Sequence, residues 1–244
     1  MSENQEHAKF ALITGASQRI GREIALHLAR QGFNIGLHFS KSKVAAEQTK
    51  IEIESLGRRV VLLQANLDNP DEIEYLFKCL SKENKTIDLV VNNAAIMPKS
   101  DLLKISWQDW DKVMNINLRG TWLLIQKAVE LIKPGGVVIN ISDAGAEMHW
   151  TGYGAYGISK YALIELTRLL AKELAPGIRV CGIAPGLLMK SESMSQDEWD
   201  RLAERVPGKS AGDLDAFLAT VDLLISNGYI TGETITLNGG ASLG

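Results

Sequence analysis

The sequence contains little cysteine and no long apolar run. Its two cysteines, Cys79 and Cys181, form neither a CxxC nor a metal-ligand spacing, so each is interpreted as a reduced thiol. No apolar run approaches the ~20 residues of a membrane span, and the polar N-terminus contains no signal-peptide core. We therefore predict a soluble, cytoplasmic protein without a membrane partner, with a flexible N-terminus over residues 1–8.

Basic blocks and metal motifs are also absent from the sequence. The 26 Lys and Arg residues are balanced by 29 Asp and Glu residues, and no basic cluster stands out, so we expect no nucleic-acid partner. The four histidines are scattered without an HExxH pattern, so we predict no metal. What the chain does contain is 45% hydrophobic residues, which is enough for a sizeable core.

Short apolar runs alternate along the chain with amphipathic segments of helical length. Several runs are apolar throughout, which is typical of strands buried on both faces of a parallel sheet. Predicted strands span residues 10–14, 34–39, 59–65, 88–92, 136–141, 178–184 and 234–237. Predicted helices span residues 19–31, 43–56, 70–82, 107–132, 153–174 and 213–226. The alternation predicts an α/β fold: one Rossmann-like domain over residues 1–244, with a doubly wound, parallel, seven-stranded sheet and helices on both faces.

One segment, residues 187–212, interrupts this alternation. It is polar, rich in Ser and Glu, and follows a predicted strand, where ligands bind in such sheets. We interpret it as a substrate lid. The alternative is an ordinary surface excursion with its own short helix.

The first predicted strand leads through a glycine-containing turn into a helix. Gly15 permits a tight turn, and Gly21 permits close packing of the helix on the strand. The N–H groups at the start of the helix are then available to a pyrophosphate. Arg19 replaces the middle glycine of the usual pattern and is expected to reach a phosphate.

The end of the second predicted strand favours one nicotinamide dinucleotide over the other. A site for NAD places an acidic residue there, and residues 38–42 contain none. Ser40, Lys41 and Ser42, together with Arg19, are instead expected to hold a 2′-phosphate, which predicts NADP(H). The alternative is that Lys41 and Lys43 are solvated loop charges.

Tyr156 and Lys160 lie four residues apart in a predicted helix, on one helix face. A nearby ammonium group favours the ionised phenol and lowers its pKa, which suits the tyrosine to proton exchange. The spacing is common in amphipathic helices, so the pair indicates a catalytic site only in combination with other motifs.

Five motifs in order resemble the short-chain dehydrogenase/reductase family over residues 10–240. They are Thr14-Gly15-x-x-x-Arg19-Ile20-Gly21, Asn92-Asn93-Ala94-Ala95, Asn117-Leu118-Arg119-Gly120, Tyr156-x-x-x-Lys160 and Pro185-Gly186. The resemblance implies that Tyr156 is the general acid, that Lys160 lowers its pKa and holds the nicotinamide ribose, and that Asn117 orders a water in a proton relay. It also implies a homotetramer formed through helices 107–132 and 153–174.

The resemblance implies further cofactor contacts along the crevice. Asn66 and Leu67 are expected near the adenine, although Asn66 is also suited to capping a turn. The other expected contacts are Ser17, Ile20, His38, Phe39, Asn93, Ala94, Ala95, Ile141, Pro185, Gly186 and Leu188.

The sharpest departure from the family is Asp143, which occupies the position of the catalytic serine thirteen residues before Tyr156. Ser142 is one residue too early, and one step along a strand reverses the direction of the side chain. A carboxylate accepts N–H bonds from an aminopyrimidine or shares a proton with the tyrosine. This chain resembles the pteridine reductases and dihydromonapterin/dihydrofolate reductases in three features. These are the aspartate at position 143, the arginine at position 19 and the stretch 38–42. The sequence therefore favours a pteridine-reductase-like, NADPH-dependent reduction of C=N or C=O.

The resemblance to that branch is incomplete at the substrate wall. Where those enzymes carry Ser and a stacking Phe, this chain has Ile96-Met97-Pro98. Predicted substrate contacts are Asp143, Met97, Tyr156, Leu187 and Trp199, with Trp150 or Met189 as alternatives for the missing wall. Two other functions stay open: a ketoreductase such as a 3-oxoacyl-[acyl-carrier-protein] reductase, and a non-catalytic NADP-sensing protein.

Overall fold

The computed structural model describes residues 8–83, 86–192 and 194–243. The predicted flexible N-terminus therefore lies outside the described residues except for Ala8, and so does Ser193 of the predicted lid.

Within the described part of the chain, seven strands form one parallel sheet in the order β3-β2-β1-β4-β5-β6-β7. The strands are β1 (Phe10–Ile13), β2 (Asn34–Phe39), β3 (Val60–Gln64), β4 (Ile87–Asn92), β5 (Ile132–Ile141), β6 (Ile178–Pro185) and β7 (Thr234–Leu237). The order reverses between β1 and β4, so the carboxyl ends of these strands flank the crevice at which such sheets bind ligands.

Helices cover both faces of the sheet, which confirms the predicted fold. They are α1 (Arg19–Arg30), α2 (Lys43–Ser55), α3 (Pro70–Glu83), α4 (Trp107–Met114), α5 (Gly120–Ala128), α6 (Gly154–Leu174), α7 (Gln196–Arg205) and α8 (Leu214–Ser226). Alternate residues of β1 enter opposite cores: Ala11 and Ile13 pack in the cluster with α1 and α8, whereas Phe10 and Leu12 pack in the cluster with α3 and α5. No helix among the described residues is long and apolar enough to cross a membrane.

The predicted helix over residues 107–132 is wrong in two respects. A π-helical segment, Asn115–Arg119, separates α4 from α5, and the chain has already entered β5 at Ile132. Ile132 pairs with Ile87, and the register then shifts before Leu89 pairs with Val137. Because apolar residues continue through the end of the helix into the strand, periodicity does not mark the boundary between them.

The segment 187–212 contains helix α7, whose ten residues are all at least partly exposed. Ser195 caps the helix by accepting the N–H of Glu198 at 3.1 Å. The N–H of Gly212 donates to the carbonyl of Leu187 at 2.7 Å, so the two ends of the segment meet. The segment thus has its own short helix, and its role as a lid stays a prediction.

Candidate active site

The turn between β1 and α1 is shaped by two glycines. Gly15 has φ +63°, in the left-handed region that glycine adopts without strain. A Cβ on Gly21 would lie 2.2 Å from the carbonyl oxygen of Gly15 and 2.5 Å from Nδ2 of Asn93. No larger residue fits at Gly21 without moving the turn.

Thr14 locks this turn to the end of β4. Its hydroxyl oxygen accepts the N–H groups of Asn93 at 2.9 Å and Ala94 at 3.0 Å. The side-chain amide of Asn93 donates to the carbonyls of Thr14 at 3.0 Å and Gly15 at 3.2 Å. Asn93 and Ala94 therefore lie at the crevice and brace it. Sequence reasoning placed Thr14 in a motif but missed it as a site residue; a hydroxyl at the end of a strand beside Gly15 was the available signal.

His38 supports the same turn from within the sheet. Its side chain is buried; Nδ1 lies 3.1 Å from the N–H of Gly15 and Nε2 lies 3.0 Å from the carbonyl of Ala65. These partners assign the neutral tautomer with the proton on Nε2. Burial lowers the pKa of His38 to about 4, against the opposing hydrogen bond to Ala65. His38 thus holds the turn through Nδ1 and the residue after β3 through Nε2, and its contact with the cofactor stays a prediction.

The start of α1 fits a dinucleotide phosphate. Gln18, which precedes the helix, is extended and makes no side-chain capping bond, and the first turn contains no acidic residue. Backbone N–H groups at such a helix start attract an anion. At the end of β2, Ser40 and Lys41 are exposed and Ser42 is half-buried, which suits a 2′-phosphate, whereas Phe39 is buried.

Arg19 contacts the predicted lid in this structure. Its φ is +53°, a conformation that costs a non-glycine residue roughly 1 kcal/mol. The guanidinium donates to the carbonyls of Met189 at 3.0 Å and Lys190 at 3.2 Å. The expected contact between Arg19 and a phosphate stays a prediction.

Asp143 and Tyr156 meet where β5 ends against the first turns of α6. The hydroxyl of Tyr156 donates to Oδ2 of Asp143 at 2.6 Å, and Oδ1 accepts the N–H of Gly145 at 2.7 Å. Ser142 points the other way and donates to the carbonyl of Lys160 at 2.9 Å. The structure therefore brings Asp143, and not Ser142, to the hydroxyl of Tyr156, and the match of Asp143 to the family's serine stays a prediction.

Lys160 is buried beneath this pair. Its Nζ donates to the carbonyl of Ile141 at 2.7 Å and lies 5.9 Å from the centroid of the Tyr156 ring. Burial lowers the pKa of Lys160 to about 8, while the charge of Asp143 raises it. Lys160 is therefore a cation at neutral pH, and it loses its proton at a lower pH than an exposed lysine does.

The pKa of Tyr156 is raised in this arrangement, and the expectation that Lys160 lowers it stays a prediction. Burial is the largest cause, followed by the charge of Asp143 and the hydrogen bond to it. Burial also raises the pKa of Asp143 above the ordinary value, against the bonds from Tyr156 and Gly145 and the charge of Lys160. The pair therefore resists losing its proton, and that proton lies between two oxygen atoms 2.6 Å apart.

Asn117 lies in the π-helical segment, a feature common at functional sites. Its amide holds both backbone groups of Ile96, accepting the N–H at 2.8 Å and donating to the carbonyl at 2.9 Å. The amide nitrogen also donates to Ser159 at 3.0 Å. Asn117 thus fixes the loop after β4 beside α6, and its part in a proton relay stays a prediction.

The remaining residues predicted to contact the cofactor differ in their location and in their burial. Asn66 closes a turn by accepting the N–H of Asp68 at 3.2 Å, which is the capping role that sequence reasoning also allowed. Leu67 is buried, and Leu188 packs on the core. Ser17 lies in the turn before α1 and Ile20 in the first turn of that helix, whereas Ala95, Pro185 and Gly186 lie at or just after the ends of strands.

In addition to Tyr156, the structure places the ring of Trp150 close to Asp143. A Cβ on Gly145 would lie 2.8 Å from the Trp150 ring and 2.9 Å from Oδ1 of Asp143, so ring and carboxylate border the same space. Sequence reasoning named Trp150 only as an alternative wall, because the contact depends on the fold of the loop after β5. Among the substrate contacts predicted from the sequence, Met97 is 44% exposed, and Leu187 and Trp199 are half-buried.

Comparison with known proteins gives a consistent family. A family model described as Enoyl-(Acyl carrier protein) reductase matches residues 15–242. A 3-oxoacyl-[acyl-carrier-protein] reductase of Staphylococcus epidermidis is 37% identical over 239 residues, covering 95% of this chain and 98% of the relative.

Solved structures agree in fold. A short-chain dehydrogenase of Burkholderia cenocepacia in complex with NADP has a TM-score of 0.89 at 30% identity, covering 96% of this chain and 97% of that one. The FolM alternative dihydrofolate reductase 1 of Brucella canis, complexed with NADP, has a TM-score of 0.91 at 30% identity, covering 100% and 97%. Together, the relatives support the ketoreductase alternative better than the pteridine-reductase reading preferred from sequence.

An Asp143→Asn variant tests the cause of the raised tyrosine pKa. Removing the carboxylate charge removes an interaction that disfavours the phenolate, so Tyr156 is expected to titrate at lower pH than in the wild type. Tyrosinate absorbance during a pH titration measures this, with Tyr156→Phe in each background identifying the signal. An unchanged or higher titration midpoint in Asp143→Asn would show that Asp143 does not set this pKa.

Proposed function

Since the chain belongs to the short-chain dehydrogenase/reductase family, we propose that it is an NADPH-dependent ketoreductase that acts on a 3-oxoacyl thioester. The observation that carries the reductase assignment is the Tyr156 hydroxyl, hydrogen-bonded to Asp143 above the buried cation of Lys160. The curated relative of Staphylococcus epidermidis supports the substrate class.

The residues at the crevice suit NADP(H). The start of α1 would hold the pyrophosphate, the stretch Ser40-Lys41-Ser42 the 2′-phosphate, and Lys160 the nicotinamide ribose. When bound, the dinucleotide supplies the hydride. The neighbours from Burkholderia cenocepacia and Brucella canis, both complexed with NADP, support this choice.

The chain's own residues supply the proton. Tyr156 donates to the substrate oxygen as negative charge develops there, which is general acid catalysis. An ionised carboxylate beside that oxygen would oppose the same charge. We propose that Asp143 is protonated when it faces that oxygen and donates where the family's serine donates; burial raises its pKa, which is the direction that this role requires.

Asp143 also favours a second candidate, the reduction of a pterin. As a carboxylate it would accept N–H bonds from an aminopyrimidine ring. The structural likeness to the Brucella canis FolM protein supports this candidate. Trp150, beside the carboxylate, offers a ring face on which a planar substrate would stack.

Purified protein, NADPH and either an acetoacetyl thioester or dihydrobiopterin separate the two candidates. We expect NADPH oxidation with the thioester, measured by loss of nicotinamide absorbance, and a reduction in kcat of about 100-fold or more in Tyr156→Phe because the general acid is lost. Oxidation with dihydrobiopterin alone would replace the first candidate by the second. No oxidation with either compound would contradict both.

We infer further that the protein self-associates through the outer face of α4, α5 and α6. Large apolar side chains are exposed there, which marks an interaction surface: Trp107, Trp122, Ile158, Tyr161 and Leu169. Two grooves, of about 1050 and 600 Å³, run along α6 and meet at Ala162. A homotetramer built on this face is the proposed assembly.

Leu169→Glu tests this assembly by placing a charge on the proposed interface. Leu169 is 60% exposed, so the isolated chain should fold normally, while burial of the new carboxylate opposes association. Light scattering after size exclusion should give four chain masses for the wild type and fewer for Leu169→Glu. Ile51→Glu, at a 59% exposed position on α2, is the matched control and should remain a tetramer. A monomeric wild type would contradict the proposal.

A further inference from the structure

The side chain of Arg19 connects the glycine turn at the start of α1 with the first residues of the predicted lid. Its guanidinium donates to the carbonyls of Met189 and Lys190 at 3.0 and 3.2 Å, 170 residues farther along the chain. One planar group thus holds two successive carbonyls of the predicted lid. Arg19 itself belongs to the glycine turn at the start of α1, where the pyrophosphate would lie.

The residues of the lid that precede Met189 are anchored to the rest of the protein. Leu188 packs on the core, and the carbonyl of Leu187 accepts the N–H of Gly212. Residues 189 and 190 therefore lie between a fixed point and the exposed helix α7. A glycine at position 19 would adopt the same backbone conformation and have no side chain with which to reach them.

We propose that Arg19 is a positioning residue that fastens the first residues of the lid across the cofactor crevice, so that the lid slows release of the dinucleotide. This rests on the proposed function, in which the crevice holds NADP(H). The fastening acts on the lid, so its effect does not depend on the 2′-phosphate. A direct bond from Arg19 to the 2′-phosphate would instead affect NADPH and spare NADH.

Arg19→Gly is the informative variant, because glycine keeps the φ of +53° without strain and deletes the guanidinium. Lys41→Gln is the matched control: it removes another exposed cation at the cofactor end, from the loop after β2. Hydrogen exchange of the cofactor-free protein reports the lid over residues 187–192. Stopped-flow fluorescence reports release of NADPH and NADH without any substrate.

In Arg19→Gly, we expect faster exchange confined to residues 187–192 and release of both dinucleotides accelerated by a similar factor, about tenfold for the loss of charge-assisted hydrogen bonds. Lys41→Gln should leave lid exchange unchanged. Unchanged lid exchange in Arg19→Gly, or exchange raised equally throughout the sheet, would overturn the proposal. So would acceleration confined to NADPH. The exchange measurement needs neither cofactor nor turnover, so its failure is distinct from a failure of the proposed function.

Discussion

The hydrogen bond from Tyr156 to Asp143 is the interaction on which the chemistry of this site depends. It joins the end of β5 to the first turns of α6 at 2.6 Å, over the buried ammonium of Lys160. Burial disfavours the charged forms of all three groups, raising the pKa values of the two acids and lowering that of the lysine. The pKa of each group therefore depends on the charge of its neighbours. A substitution of one group is expected to change the pKa values of the other two.

In the proposed function, the protonation state of Asp143 distinguishes the two kinds of substrate. A carbonyl that gains negative charge needs donors, which Tyr156 and a neutral Asp143 supply. An aminopyrimidine needs an acceptor, which the ionised Asp143 supplies. The two candidate functions thus correspond to two protonation states of one carboxyl group. The serine that the family usually has at this position supplies a donor without changing charge, so the proposed role of Asp143 predicts a pH dependence that a serine would not give.

The sequence predicted most of the sheet because buried parallel strands are apolar throughout, as in Val90 and Val138 on neighbouring strands. It failed where tertiary contacts override local pattern. The π-helical segment at Asn117 accompanies its bonds to Ile96, and no periodicity in residues 107–132 predicts them. Spacing put Lys160 near Tyr156 correctly but could not give the burial that raises the pKa of the tyrosine. The bonds from Arg19 to the lid span 170 residues of sequence, so local spacing could not predict them, and its contact with a phosphate stays a prediction.

The most direct test of the account is the pH dependence of kcat/KM for thioester reduction in the wild type and in Asp143→Ser, from acid pH up to just below the pKa of about 8 of Lys160. The neutral form of Asp143 exists below its raised pKa and is lost above it. The wild-type value should therefore fall as pH rises through that pKa, whereas Asp143→Ser, which keeps a neutral donor, should lack this fall. The same decline in both proteins, or a wild-type value that rises with pH, would contradict the assignment of Asp143 as a neutral acid.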